Sequence, residues 1–377
     1  MIWAYFLAGF ACLMTAVHFA SIGLAWKRCK SRREGGAMPV GVPPVTILRP
    51  LCGIDPFDSL TLDSSFVLAY PDYELVFCVA DPGDPVIQMV TRQMAAHPQI
   101  PARLILGDVA ISDNPKLNNL VKGWDSTSRD WIVMADSNVL MPRDCIQRLM
   151  ERWDAKTGLV CSTPVGARPE GFAAELECAF LNTYQARWQY ASERVGGGFA
   201  QGKTMLWRRD ILEAAGGIRA LASDIAEDAA ATKLVHAQGL HVRLVAGPFQ
   251  QPLGRRSLGQ GWHRQLRWAR LRRATFPLFF VPEFLAGWFW PALAAAFAAH
   301  LSGRNGFGTA LAFIGLWLTA EALLARAAGW RLAWASLAAM LVRDALLPVL
   351  WLWAWFGNDF VWRGHAMSVS QPRAADG

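Results

Sequence analysis

From Ile2 to Trp26 the chain carries no Asp, Glu, Lys or Arg, a run longer than the roughly 20 residues a helix needs to cross a bilayer. Three more apolar segments follow Pro277, near 278–301, 308–328 and 334–356. Any fold of this chain must therefore gather apolar helices from both ends and leave the middle, about 250 residues, as a compact domain of ordinary size. The ends account for the excess of apolar residues: 53% of the 377 residues are hydrophobic and 18 are Trp, against roughly 45–50% apolar in soluble domains.

The first segment reads as a retained span rather than a cleaved leader, because it lacks a basic start and no small-x-small site precedes Lys27. Lys27, Arg28, Lys30, Arg32 and Arg33 follow it, which by the positive-inside rule puts the central domain in the cytosol. Arg326 and Arg331 fit the same side. The segment after Pro277 contains Pro282, Glu283 and Pro291 and reads as broken, re-entrant or interfacial. Glu321, Arg343 and Asp344 lie within apolar stretches, where charges are costly and are expected to pair between helices or to snorkel. The net charge of +7 follows from basic residues beside spans, so no nucleic-acid partner is expected. The seven cysteines show no C-x-x-C spacing and read as buried thiols, not a zinc site. The boundaries expected are a span over 1–27, a linker over 28–44, an α/β domain over 45–254, a basic interfacial helix over 255–276, membrane helices over 277–358 and a tail over 359–377.

In the middle, strand-like runs alternate with helices of about a dozen residues, the pattern of parallel β-α-β units. Ligands bind such sheets at the carboxyl ends of strands. Arg49, Asp81 and Asp136 each stand at such an end. Gly171–Glu193 reads as one long helix. Asp81 and Asp136 could simply cap the helices after them, but two aspartates at equivalent ends of one sheet favour a ligand role. Asp136-Ser137-Asn138 has the outline of a D-x-D metal clamp with an amide in its third position. Glu227-Asp228 opens a helix, and no further acid follows until Glu283. A carboxylate beside so basic a stretch can be held ionised, as a general base must be. Arg255–Arg273 holds seven arginines. It reads as an interfacial helix on anionic lipid, with an arginine turned to a diphosphate where a planar fork outperforms lysine. Lys116, in Asn114-Pro115-Lys116, reads as a phosphate or ribose contact or a solvated lysine.

Jointly these strings resemble the ceramide glucosyltransferases, a branch of the membrane glycosyltransferases recognised by three separated aspartates followed by (Q/R)-x-x-R-W. Here those are Asp81, Asp136 and Asp228, then Gln265-Leu266-Arg267-Trp268. Leu48-Arg49-Pro50-Leu51-Cys52-Gly53, Asn114–Asn119, Ala215-Gly216-Gly217 and Trp362-Arg363-Gly364 add to the likeness. The resemblance implies an α/β GT-A fold, Rossmann-like with a mainly parallel sheet, flanked by one N-terminal and about three C-terminal transmembrane or re-entrant helices. It implies that Asp81 binds the uridine of a UDP-sugar and that Asp136 holds a divalent metal, Mg or Mn. Arg49 and Lys116 would join them at the donor. Asp228 would be the general base, and Gln265, Arg267 and Trp268 would secure diphosphate and acceptor. The activity implied is inverting transfer of a hexose, glucose first, to the primary hydroxyl of ceramide. A sister branch acts on hopanoid alcohols, and a non-catalytic membrane scaffold retaining the fold is the rival from another class. The compact tail and the Ala- and Trp-rich spans suggest a bacterial version, multi-pass in the inner membrane, with its catalytic domain cytosolic.

Overall fold

The computed structural model describes residues 1–30, 38–362 and 365–369. Arg32 and Arg33 of the basic cluster, residues 31–37 of the linker, Arg363-Gly364 and the tail from 370 lie outside them. The chain forms two compact units. One comprises Arg32–Val165, Ser192–Gly254 and Asp359–Gly377, and the other Met1–Ser31, Gly166–Ala191 and Arg255–Asn358.

The first unit is built on a seven-stranded sheet. Its strands are β1 (Val45–Leu51), β2 (Tyr73–Val79), β3 (Ala102–Leu106), β4 (Trp131–Ala135), β5 (Thr157–Cys161), β6 (Thr204–Arg208) and β7 (His241–Leu244). They lie in the order β3-β2-β1-β4-β6-β5-β7. The run β3-β2-β1-β4 is parallel, β6 is antiparallel to both neighbours, and β5 pairs parallel with β7. In β1 every residue but Pro50 is buried, and in β2 every residue but Glu74. Such near-continuous apolar runs are what a sheet covered on both faces requires. Val45, Ile47, Leu75, Phe77 and Val133 pack with Phe66, Val90 and Ile146 in one core.

The helix Pro115–Asp125 clamps the sheet. Asn114 caps it, its Oδ1 accepting from the backbone N–H of Lys116 and Leu117 at 3.0 and 3.2 Å, with Pro115 at the first helical position. Asn119 donates to the carbonyls of Cys78 and Leu51 at 2.8 and 3.3 Å, and Lys122 to that of Val79 at 2.8 Å. A Cβ on Gly123 would meet Cys78 Sγ at 2.6 Å, so only glycine allows this approach. The carboxyl ends of β1, β2 and β4 thus share one anchored edge, with Gly53, Asp81 and Asp136 in the loops beyond them. β5 was not foreseen: Gly158 breaks up its strand signal, yet a Cβ there would meet Val235 at 2.8 Å, so tight packing demands it.

The second unit holds the apolar helices. Ile2–Cys29, Gly306–Ala328 and Trp334–Ala354 are long and apolar enough to cross a membrane. Pro277–Leu285 and Phe289–Leu301 form a pair bent by 41°, as the prolines in that segment predict. The break falls at Gly287, whose φ is +85° and where a Cβ would meet Asp344 at 2.8 Å. Asp344 Oδ2 accepts from the backbone N–H of Trp288 at 3.1 Å, capping the helix that restarts there. The stretch expected to be one long helix is instead α-helix over Phe172–Ala179, π-helix over Phe180–Ala186 and α-helix over Arg187–Arg194. The wide turn carries Thr183 into a buried polar cluster. Arg343 Nη2 lies 3.0 and 2.8 Å from the two oxygens of Glu321, and its Nε lies 2.7 Å from Asp344 Oδ1. Its Nη1 donates to Ala179 O at 3.0 Å and Thr183 Oγ1 at 2.7 Å. Arg187 lies 3.4 Å from Glu321 and donates to His18 Nδ1 at 2.6 Å, and the His18 ring stacks on Trp317 with centroids 3.6 Å apart. The charges in the apolar segments therefore pair between helices, as expected. Arg343→Ala would leave Asp344 without its arginine and Glu321 with Arg187 alone, and should cost about 3–5 kcal/mol, read as a lowered thermal midpoint of the detergent-solubilised protein.

Candidate active site

Loops from distant parts of the sequence meet around Asp136. Its backbone N–H donates to Lys203 O at 3.0 Å, joining the end of β4 to the start of β6. Arg49 fixes the loop from beneath. Fully buried, it donates to the carbonyls of Asp136, Ser137 and Val139 at 2.8, 2.8 and 3.2 Å. It also donates to Thr61 O at 2.9 Å and to Ser65 Oγ. Burial lowers its pKa to about 10, so it stays charged at neutral pH. The sequence reading put Arg49 on the donor. Its guanidinium is instead engaged by four carbonyls and a hydroxyl within the core, which makes it a positioning residue.

Lys116 is the hub. Its Nζ lies 2.7 Å from Asp136 Oδ1 and 2.6 Å from Glu227 Oε1, and donates to Gly202 O at 2.6 Å. An ammonium has three N–H groups, and all three have an acceptor here. As arranged, Lys116 bridges protein groups and does not project to a phosphate, as the sequence reading had it. Glu227 takes a second contact from Asn114 Nδ2 at 2.7 Å. Lys203 Nζ lies 2.8 Å from Asp136 Oδ2 and 3.2 Å from Asn138 Oδ1. Burial opposes ionisation of Asp136, but Lys116 and Lys203 outweigh it and hold the carboxyl well below the usual range. Burial likewise opposes the charge of Lys116, and Asp136 and Glu227 outweigh it, holding the ammonium above its ordinary range.

Asp228 is in the opposite condition. It stands in the first turn of the helix Glu227–Ala237, and Gly202 N–H donates to its Oδ2 at 3.1 Å. Among the described residues of this cluster, Asp136 and Glu227 are in ion pairs and Asp228 is in none. Burial of its carboxyl, then the neighbouring Glu227, push its pKa up to about 6, only partly offset by the Gly202 amide and Lys116. Asp136 and Asp228 thus have their proton affinities driven apart, the arrangement that separates a fixed charge from a group that trades protons.

Asp81 is exposed beyond β2 and folds back on its own loop, accepting from Gly83 N–H at 2.8 Å. It shares the sheet edge with Asp136 but is separated from it by β1, about 10 Å at the usual spacing of two strand intervals. Asp84, which the sequence reading passed over, secures that loop by accepting from Gly53 N–H at 2.7 Å and Val86 N–H at 2.9 Å. Gly202 and Lys203 were also missed. A Cβ on Gly202 would meet Glu227 Oε1 at 2.7 Å, Lys116 Nζ at 3.2 Å and Asp228 Oδ2 at 3.3 Å, so the site closes only around a bare backbone. The readable signal was a Gly-Lys pair placed directly before an apolar strand.

Gln265, Arg267 and Trp268 belong to the other unit, on the helix Leu258–Thr275. A capping box opens that helix: Ser257 Oγ accepts from Gln260 N–H at 3.1 Å, and Gln260 Oε1 from Ser257 N–H at 3.0 Å. Gln265 is buried and accepts from Gln185 Nε2 at 3.1 Å. Arg267 and Trp268 are half-buried. Other arginines of the stretch are held by protein groups: Arg264 by Glu177, Arg272 by Glu283 at 2.7 Å, Arg270 by Phe356 O at 2.6 Å and Arg273 by Asn358. These contacts knit their own unit together.

The metal expectation meets a difficulty in the donor set. Asp136, Asn138, Glu227 and Asp228 offer oxygens, but ammonium groups already stand on both oxygens of Asp136 and on one of Glu227. Among the described residues no three His, Cys, Asp or Glu side chains are grouped to hold a metal ion. The residues as arranged do not fit a divalent cation on Asp136.

Comparison with known proteins agrees with this architecture. Ceramide glucosyltransferase 3 of Caenorhabditis elegans is 25% identical over 336 residues, spanning 87% of this chain and 73% of that protein. The ceramide glucosyltransferase of Komagataella phaffii is 37% identical over 125 residues, 32% of this chain and 25% of that protein. A mannosyltransferase from Pyrobaculum calidifontis, solved in complex with GDP-Man and Mn2+, covers 93% of this chain and 99% of its own, with 20% identity and a TM-score of 0.53. The fold this chain shares with that structure is the GT-A glycosyltransferase fold. The sequence model of glycosyl transferase family 21 matches residues 5–375, and with nearly its whole length inside that match the chain belongs to this family.

Proposed function

We propose that this glycosyltransferase moves a hexose from a UDP-sugar to the primary hydroxyl of ceramide, with inversion at the anomeric carbon. The observation that carries the reading is Asp228, whose carboxyl is held by the Gly202 amide, outside any ion pair of the cluster, with its pKa pushed up to about 6. Such a group is ionised at neutral pH and still basic enough to accept a proton from an alcohol in the transition state. Asp228 takes the hydroxyl proton as the oxygen bonds to the anomeric carbon. The bond from that carbon to the diphosphate breaks, and its electron pair leaves with UDP. One carboxylate suffices, because a single displacement forms no covalent enzyme intermediate.

The acceptor is inferred from the relatives' names, which are ceramide glucosyltransferases, and from helices apolar enough to lie in lipid. Glucose is the hexose those names carry. Asp81 at the exposed edge is assigned to the nucleoside, and Asp136 to charge balance beside the diphosphate. The roles of Gln265, Arg267 and Trp268 rest on the Q-x-x-R-W string. The basic residues after the first helix favour a cytosolic catalytic unit in a multi-pass membrane protein, a bacterial inner membrane by composition.

Purified protein in detergent, given UDP-glucose with ceramide or a hopanoid alcohol, should form a β-glucosylated ceramide detectable by mass spectrometry. Product on the hopanoid alone would reassign the acceptor, and no product on any lipid would favour a scaffold. Asp228→Asn should lower kcat roughly 10²–10⁴-fold while UDP binding stays within about threefold. Because the base works deprotonated, the wild-type rate should fall as pH drops below about 6. Glu227→Gln removes the negative neighbour and should move that acid limb to lower pH. Gly202→Ala, by pressing a methyl onto both carboxylates and Lys116, should cost at least roughly tenfold in kcat, equivalent to about 1.4 kcal/mol, without loss of folded protein.

A further inference from the structure

Lys203 stands between the outer positions of the D-x-N triplet. Its Nζ spans the first and third positions of the Asp136-Ser137-Asn138 triplet, 2.8 Å from Asp136 Oδ2 and 3.2 Å from Asn138 Oδ1. Two carboxylates at those positions would bring two negative charges to match a divalent ion. An amide in the third position leaves one, too few for a divalent ion, and an ammonium stands there instead. The lysine is fixed by its backbone, because Lys203 O accepts from Asp136 N–H at 3.0 Å. Its side chain is 20% exposed, so the charge is held at the surface of the cluster and not sealed in the core. The other oxygen of Asp136 is taken by Lys116 at 2.7 Å, which leaves that carboxylate with a cation on each side.

We propose that Lys203 is the resident cation of this site, its ammonium neutralising the donor diphosphate from between the outer positions of the Asp136-Ser137-Asn138 triplet. This rests on the UDP-sugar reading above. Asp136 and Asn138 then act by holding a lysine, and the charge that grows on departing UDP is met by a side chain instead of an exchangeable ion.

The test is UDP binding by calorimetry to the full chain in detergent, with EDTA and with Mn2+. Wild-type affinity should agree within about threefold between the two conditions. Lys203→Ala should weaken UDP binding in EDTA roughly ten- to hundredfold, the weight of one charge-assisted contact, and Lys203→Arg should recover part of it. Lys203→Ala combined with Asn138→Asp rebuilds a two-carboxylate clamp and should make UDP binding depend on Mn2+. Wild-type binding that collapses tenfold or more on chelation would overturn the proposal while leaving the donor reading intact. So would a Lys203→Ala variant that binds UDP as wild type does in EDTA. A wild type that binds no UDP in either condition would overturn both, which separates the two failures.

Discussion

One ammonium group organises the site. Lys116 reaches from the start of a helix to the end of β4, to the first turn of the helix at Glu227 and to the backbone at Gly202. A charge placed so far from water must be matched on every side. Those three elements, far apart in sequence, are therefore held to one geometry. Removing any acceptor would leave a buried donor unmatched, so the loops cannot drift independently. The division of labour among the carboxylates follows from the same group. Asp136 and Glu227 are tied to it, and Asp228, next to Glu227 but outside the ion pairs, is left with the raised proton affinity.

What could be read from the sequence was set by locality. Asp81 and Asp136 were legible because a strand that ends in an acid shows both periodicity and position. Asn114-Pro115 was legible because a cap and a first-turn proline act on adjacent residues. Arg49 was legible as a strand-end residue but not as a buried one, because its acceptors are backbone carbonyls from 61 and from 136–139, and no side-chain pattern records which carbonyls will converge. Gly202 carries no local signal of its role, since the atoms that forbid a Cβ there come from Lys116, Glu227 and Asp228. The partners of the arginine-rich helix were illegible for the same reason: Glu177, Glu283 and Asn358, which hold its guanidiniums, lie elsewhere in the chain.

The apolar unit shows the converse. Prolines at 282 and 291 announced a break, but the turn itself falls at Gly287, between them, where Asp344 comes close enough to exclude a side chain. Asp344 in turn shares Arg343 with Glu321. A residue that would be costly alone in lipid thus becomes the cap of a restarted helix, its charge matched by the arginine before it. The π-helical turn over Phe180–Ala186 belongs to the same arrangement, since it carries Thr183 and leads into Arg187. The stretch was read as one regular helix because periodicity is blind to a single wide turn.

Arg49 has one further geometric consequence. A trans peptide points its N–H opposite to its carbonyl, and there is no cis peptide in the described chain. Drawing the oxygens of Asp136 and Ser137 inward to the guanidinium therefore turns the amide hydrogens of Ser137 and Asn138 outward. The loop after β4 acquires a lip of backbone dipoles with their positive ends facing away from the core, a polarity that no change of pH can titrate away.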